Sequence, residues 1–487
     1  VVAVVAALEI LDKMNNYTKF ITSQGLEFYY RNDTNSLHEK NGDKIVVGNP
    51  SLREDSSYYE FAKTNYATRK KHNKPVALRI LMGHACNYSC TYCMQKDIGN
   101  PDERPKREAL KIFFDSINEN LDLDDLTRIE LWGGEPFLYW QDVMELMKFF
   151  DSEDRHFYIS TNGSTLHPKH AEFFSTLKSD VLISISHDAM HQQELRGDDI
   201  FHRHRVIETL KMFDKLSNVG YGFTCSVTNT NYDLFEINNY FRNKIIENDL
   251  STFQLGFSLG RTYAKNSDNL TESLPCTLIE GGANTGEGNS YNHVIHGENL
   301  EKFRIILKNF LEAHHKQFTE KGLDKNGEPL VFQATADELP LLKTDIYESP
   351  LAYSVIQYAR KTITGEPILE ATNCGADMAD ILSIDLDGSV RTCPHTDESH
   401  VYGHLNNIKG IRIISLDMKR KESHCASCHN IKICRSSCPI ELPDEVFMTN
   451  CRVEKIWYGE IQKAAFRLVF NDTVEMVETG IDLPYHT

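Results

Sequence analysis

Residues 76–93 read VALRILMGHACNYSCTYC. The first six, VALRIL, form an apolar run of strand length. Three cysteines follow it directly at C-x3-C-x2-C: Cys86, Cys90 and Cys93. Downstream the text alternates. REALKIFFDSINENL (107–121) places Ala109, Ile112, Phe113, Ile117 and Leu121 on one helical face, and TRIELW (127–132) reads as a strand. The same alternation runs through QDVMELMKFF, HFYIST (156–161), PKHAEFFSTLK, VLISISH (181–187), HRVIETLKMFDKL, YGFTCSVT (221–228) and TFQLGFSL (252–259). Strand–helix alternation of this kind predicts an α/β fold with a parallel sheet and helices outside it. Six units are two short of an eightfold barrel, so the expectation is a partial, open (β/α)6 TIM-like barrel over 76–260. The cysteines then fall at the C-terminal rim of the strands, where barrel chemistry is placed.

Around this unit the chain divides further. Residues 1–75 hold strand-like GLEFYYRN and DKIVVGNP and are expected to form a small N-terminal α+β element. The basic run TRKKHNK (68–74) reads as a solvated linker. Residues 261–370 combine a glycine-rich insertion with helical linker text, 371–455 form a cysteine-dense module, and 456–487 read as a C-terminal helix and tail. The helix itself is expected over Val453 to about Met476. With 487 residues, 40% hydrophobic and 25% charged, the composition is that of an ordinary globular protein. The net charge of −18 makes the surface a poor partner for duplex DNA. No apolar run reaches transmembrane length, and VVAVVAALEI lacks the basic lead of a secretory signal, so no membrane is expected and the location expected is the cytoplasm.

Ten of the twelve cysteines lie in two groups spaced too tightly for a spread disulfide framework. In a reducing compartment such thiols are metal ligands or redox groups. Three thiolates on one loop suit three irons of a cubane and leave the fourth iron open for a ligand. Zinc is the alternative, but it needs a fourth nearby ligand and only His84 is local.

CNYSCTYC resembles the signature loop of the radical S-adenosylmethionine (SAM) enzymes, and further residues resemble that family at matching strand ends. Gly133-Gly134-Glu135-Pro136 follows the second strand as the family's GGEP does, whose backbone and acid receive the methionine amino group. Tyr92 matches an aromatic beside the adenine, Asn162 lies in a common family turn (Thr161-Asn162-Gly163), Ser186 would reach the ribose, and Arg196 the carboxylate. The resemblance implies a [4Fe–4S] cluster that cleaves SAM to a 5′-deoxyadenosyl radical, which abstracts hydrogen from a substrate. The tail, Cys374-x13-Gly388-x4-Cys393 then Cys425-x2-Cys428-x5-Cys434-x3-Cys438-x12-Cys451, resembles the SPASM extension and implies two auxiliary [4Fe–4S] clusters, three in all. By that analogy Cys425, Cys428, Cys434 and Cys451 hold one auxiliary cluster, and Cys374, Cys393 and Cys438 the other. Asp380 stands where fuller relatives carry another cysteine and is its candidate fourth ligand. A zinc ribbon is the alternative for the tail. Sulfatase-maturing relatives carry an aspartate base just after the second tail cysteine. Here Pro394 and His395 follow Cys393, so formylglycine formation is not expected, and His395 is a candidate base or a surface histidine.

The implied function is modification of a ribosomal peptide or small protein by crosslink, thioether or epimerisation, fed by a flavodoxin- or ferredoxin-type electron donor. Residues 1–75 would grip a leader peptide or simply cap the barrel. One alternative is radical rearrangement of an amino-acid-modified nucleobase in phage DNA, with His202, Arg203, His204 and Arg205 as a local basic groove. Another is a non-catalytic iron–sulfur electron carrier, against which the open three-cysteine loop and GGEP both argue.

Overall fold

A computed structural model of the chain describes residues 17–31, 36–45, 70–93, 95, 107–251, 255–260, 294–315, 378–394, 401–413 and 444–481, with positions 351, 354, 355, 358, 359, 362, 428, 430 and 434. It begins with antiparallel hairpins. β1 (Tyr17–Thr22) and β2 (Glu27–Arg31) meet across a turn in which Gly25 takes φ 85°. β3 (Ser36–His38) and β4 (Lys44–Ile45) continue the ladder. β1 and β3 add to the two strands expected from the sequence.

The main sheet follows. β5 (Ala77–Leu81), α1 (Arg107–Asn120), β6 (Arg128–Trp132), α2 (Trp140–Phe150), β7 (His156–Thr161), α3 (Pro168–Phe174) and β8 (Asp180–Ser186) come first. Then come α4 (Gln192–Arg196), α5 (His204–Phe213), β9 (Val219–Val227), α6 (Leu234–Glu247) and β10 (Leu255–Leu259). Local chemistry sets the helix starts. Pro168 opens α3, where the His167 ring accepts from Lys169 N and the His170 ring accepts from His167 N, a reciprocal cap. Asp233 caps α6 by accepting from Phe235 N and Glu236 N at 3.0 and 3.1 Å. Ile112 does not lie on the buried face of α1, as its period had implied: it is 57% exposed, and Leu110, Phe113 and Ile117 are the buried residues. Apolar spacing alone does not separate neighbouring stripes of one helix.

The six strands β5 to β10 run parallel, as the alternation predicts, and the ladder does not close. After α7 (Asn299–Ala313) the cysteine-dense module adds to the same sheet. β11 (Ile381–Asp385) pairs parallel with β5, and β12 (Ser389–Arg391) and β13 (Val401–His404) follow antiparallel, giving the order β10-β9-β8-β7-β6-β5-β11-β12-β13. The basic run is not a solvated linker at its centre. Lys71 is 3% exposed and donates to Met378 O and Ile381 O at 2.7 and 2.9 Å, tying the segment before β5 to the start of β11. A buried ammonium is tolerated there because carbonyl oxygens replace water.

α8 (Asp444–Phe470) starts nine residues earlier than the expected Val453, so Cys451 lies on it, and it stops at Phe470. The chain then turns into β14 (Val474–Ile481), which pairs antiparallel with β1, so the expected helical tail is instead a strand of the first sheet. Phe20, Phe28, Phe466 and Phe470 pack between that sheet and α8, with ring centroids 4.5–5.4 Å apart. The two faces of the main sheet differ. One carries Leu78, Ile80, Ile129, Leu131, Phe157 and Ile159, all fully buried. On the other, Arg79, Glu130 and Tyr158 lie side by side in register, and Ser184 hydrogen-bonds Thr224 at 2.9 Å.

Candidate active site

The C-terminal ends of β5 to β9 gather the expected residues, and backbone contact between two loops comes first. Gly134 N donates to Gly83 O and Glu135 N to Ala85 O, each at 2.9 Å. This explains the paired glycines. A Cβ on Gly134 would stand 2.4 Å from Ala85 O and 2.5 Å from His84 O, and one on Gly133 would stand 2.7 Å from Gly83 O. The close approach is therefore to the segment that leads into Cys86. Gly134→Ala should push residues 84–86 away, destabilise the chain by about 1–3 kcal/mol and lower cluster incorporation. Iron content and thermal melts check this, and wild-type iron loading would sink it.

Glu135 is fully buried. Its Oε1 accepts from Phe137 N (3.1 Å) and Thr161 Oγ1 (2.7 Å), and its Oε2 accepts from Asn162 N (2.7 Å). Burial pushes its pKa up from 4.5 to about 6 against these three donors. Pro136 opens the short 3-10 turn that follows. Asn162 donates to Asn87 Oδ1 at 3.0 Å and lies 3.9 Å from Cys86 Sγ.

The cysteine loop is anchored at several points. Ala85 N donates to Tyr139 Oη (2.9 Å), Asn87 Nδ2 to Ser164 Oγ (2.8 Å), Tyr88 Oη to Asp198 Oδ2 (2.8 Å) and Thr91 N to Leu195 O (2.9 Å). Tyr92 Oη donates to Asp188 Oδ2, and the Arg196 guanidinium lies over the Tyr92 ring, 5.4 Å from its centroid. Cys86 is half-buried, Cys90 buried and Cys93 exposed. Burial raises Cys90 to about 11, and the neighbouring Arg196 opposes that rise. Burial is the main cause of the upward shift at Cys86 as well, and the Cys93 thiol adds to the rise of both Cys86 and Cys90. Among the described residues, however, no three Cys, His, Asp or Glu side chains converge as they would around a bare ion. Ser186 ends β8 in register with Thr224 on the polar face.

Tyr88, Tyr139 and Asp188 were not singled out by sequence, and Thr161 was named only as part of the Thr161-Asn162-Gly163 turn. Only Asp188 had a local signal, its place in SISHD at a strand end, and the others are fixed by partners distant in the chain. Farther off, Asp380 sits in the turn before β11, its carbonyl accepting from Val76 N at 2.8 Å. Cys393 is half-buried just after β12. Gln95, two residues beyond Cys93, is buried and donates to Pro394 O at 3.0 Å, so the segments just after Cys93 and Cys393 meet. Cys428 and Cys451 both lie close enough to Cys434 to raise its pKa, although burial is the larger cause. Cys374, His395, Cys425 and Cys438 lie outside the described residues.

Residues 80–236 match the radical SAM superfamily, over the segment that carries the cysteine loop, the paired glycines and Arg196. This part of the chain is a radical SAM domain. Members of that superfamily are enzymes, and the match implies a [4Fe–4S] cluster and SAM for this domain. The radical SAM cyclopropyl synthase TigE of Paramaledivibacter caminithermalis is 23% identical over 258 residues, 48% of this chain and 52% of that protein. The chain thus spans about half the length of that curated relative. The solved structure of anSMEcpe with bound AdoMet, at 16% identity, has a TM-score of 0.52 and covers 82% of this chain and 96% of that one. The same enzyme with bound AdoMet and Cp18Cys peptide gives 0.51 at 16%, covering 81% and 99%. These likenesses agree with the α/β radical SAM fold. The donor set fits the cluster: Cys86, Cys90 and Cys93 are neighbouring thiols on one braced loop and would hold it. Among the described residues no helix is long and apolar enough to cross a membrane.

Proposed function

We propose that the chain is a radical SAM enzyme that modifies a ribosomally made peptide or small protein. The carrying observation is the three-cysteine loop at the C-terminal edge of the parallel sheet, braced through its other side chains so that the thiols remain for a cluster. When bound, cluster and SAM supply homolytic cleavage and hydrogen abstraction. The chain's own residues bind and orient. Glu135 has three of about four acceptor positions filled, leaving room for the amino group. Arg196, held through Nε, presents its terminal nitrogens to a carboxylate. Tyr92 and Ser186 would take the adenosine side of SAM.

The peptide reading draws support from the shared fold of anSMEcpe, which was solved with a peptide. Cys425, Cys428, Cys434 and Cys451 are proposed to hold one auxiliary cluster of a SPASM module, and Cys374, Asp380, Cys393 and Cys438 the other. An external flavodoxin or ferredoxin is the proposed reductant. The nucleobase reading is weakened by its basic run: Arg203 is paired with Asp198 at 2.6 Å and donates to Ser164 O, which Arg205 also approaches.

Reconstituted, reduced protein supplied with SAM is expected to yield 5′-deoxyadenosine, and a deuterated peptide substrate is expected to pass its label into that product. Iron-replete protein that forms no 5′-deoxyadenosine would overturn the catalytic reading and leave an electron carrier.

A further inference from the structure

Asp188 follows β8 and has no exposed surface. Every polar atom it has is engaged. Its N–H donates to Gln192 Oε1 at 2.8 Å, and its carbonyl accepts from His191 N and Asn231 Nδ2 at 3.1 and 3.3 Å. Oδ1 accepts from Ser226 N at 3.1 Å. Oδ2 accepts from Arg196 Nε at 2.8 Å and from Tyr92 Oη. The next residue, Ala189, is buried with φ 51°, a left-handed conformation unfavourable for a residue with a Cβ, and its N–H donates to the His187 ring at 3.0 Å. Strain is thus retained where the backbone turns Asp188 inward.

The arrangement is asymmetric at Arg196. The carboxylate takes only the Nε edge of the guanidinium, and the Tyr92 ring lies against it. Among the described residues, no hydrogen bond or ion pair takes its two terminal nitrogens. One short carboxylate therefore links three pieces of chain: the cysteine loop through Tyr92, α4 through Arg196, and β9 through Ser226.

We propose that Asp188 is the positioning residue of the SAM site, fixing the aim of Arg196. This rests on the reading of Arg196 given above. Asparagine cannot replace it, because an amide has one acceptor oxygen and its NH2 must then face a donor, either Ser226 N–H or the arginine.

The test uses the full chain, anaerobically reconstituted. Asp188→Asn is expected to load iron and give the reduced-cluster spectrum of wild type without SAM. Its SAM dissociation constant should rise about 10- to 100-fold, the loss of a charge-assisted hydrogen bond. The change in electron paramagnetic resonance on adding SAM should be absent at concentrations that saturate wild type. Because Asp188 acts through Arg196, the Asp188→Asn/Arg196→Met pair should bind SAM no worse than Arg196→Met alone. Wild-type affinity and spectral change in iron-replete Asp188→Asn would overturn the proposal. If Asp188→Asn fails to fold or load iron, the double variant, which removes the orphaned cation, must recover both, and failure to recover overturns the clamp. Wild type that shows no SAM-dependent change overturns the enzyme reading and takes the clamp with it. A change in wild type that persists in the variant removes the clamp alone.

Discussion

Cys86, Cys90 and Cys93 replaced together by alanine should leave a folded protein that has lost about four irons per chain and all cleavage of SAM. The expectation that folding survives comes from the loop's anchors. Asn87, Tyr88, Thr91 and Tyr92 tie it to Ser164, Asp198, Leu195 and Asp188 through oxygen and nitrogen atoms. The sulfurs contribute only weak acceptance, Cys86 from Tyr88 N at 3.4 Å and from Asn162 at 3.9 Å. Activity, by contrast, has no second source, because the open iron needs all three thiolates. Melting temperature, iron per chain and 5′-deoxyadenosine are measured on one preparation. Residual 5′-deoxyadenosine formation in the triple variant would refute the assignment.

Glu135→Ala carries the largest expected effect on stability, about 3–5 kcal/mol. Two backbone N–H groups and the Thr161 hydroxyl lose their acceptor at a fully buried position, and each orphan costs ~1–3 kcal/mol, partly relieved by relaxation. The same residue predicts a pH dependence. Its folded pKa, about 6, lies above 4.5 because burial outweighs the hydrogen bonds. As pH rises the unfolded chain releases this proton first. The contribution is therefore most favourable below pH 4.5, declines through pH 6 by roughly 2 kcal/mol, and is flat above. Glu135→Gln should remove that decline. Denaturant melts at several pH values between 4 and 7 compare the two proteins, and an unchanged slope in the variant would show that another group is responsible.

What could be read from the sequence is what the chain encodes locally. The strands β5 to β10 are short apolar runs set between helix-period segments, and each is found. The cysteine spacing places three thiols on one loop without reference to anything else. Other features depend on partners far along the chain. ILSIDLDGSV is legible as strand text, but its parallel pairing with β5 depends on a register between Ile381 and Ala77 that neither segment states. Lys71 reads as surface because its carbonyl partners, Met378 and Ile381, lie some three hundred residues away. Gly133 and Gly134 were legible as part of the GGEP match, but their packing against the carbonyls of residues 83–85 was not. Asp188 was visible only as a letter in SISHD, since its importance comes from donors on three separate elements.

The pairing of β1 with β14 joins Tyr17–Thr22 to Val474–Ile481. On the ribosome the second segment emerges long after the first. The early hairpins must wait, with Phe20 and Phe28 lacking their α8 partners, until residues 444–481 have been made. The anchors of the cysteine loop, Tyr139, Ser164, Asp188 and Asp198, are all made long before that moment, so the loop can be seated without the outer sheet.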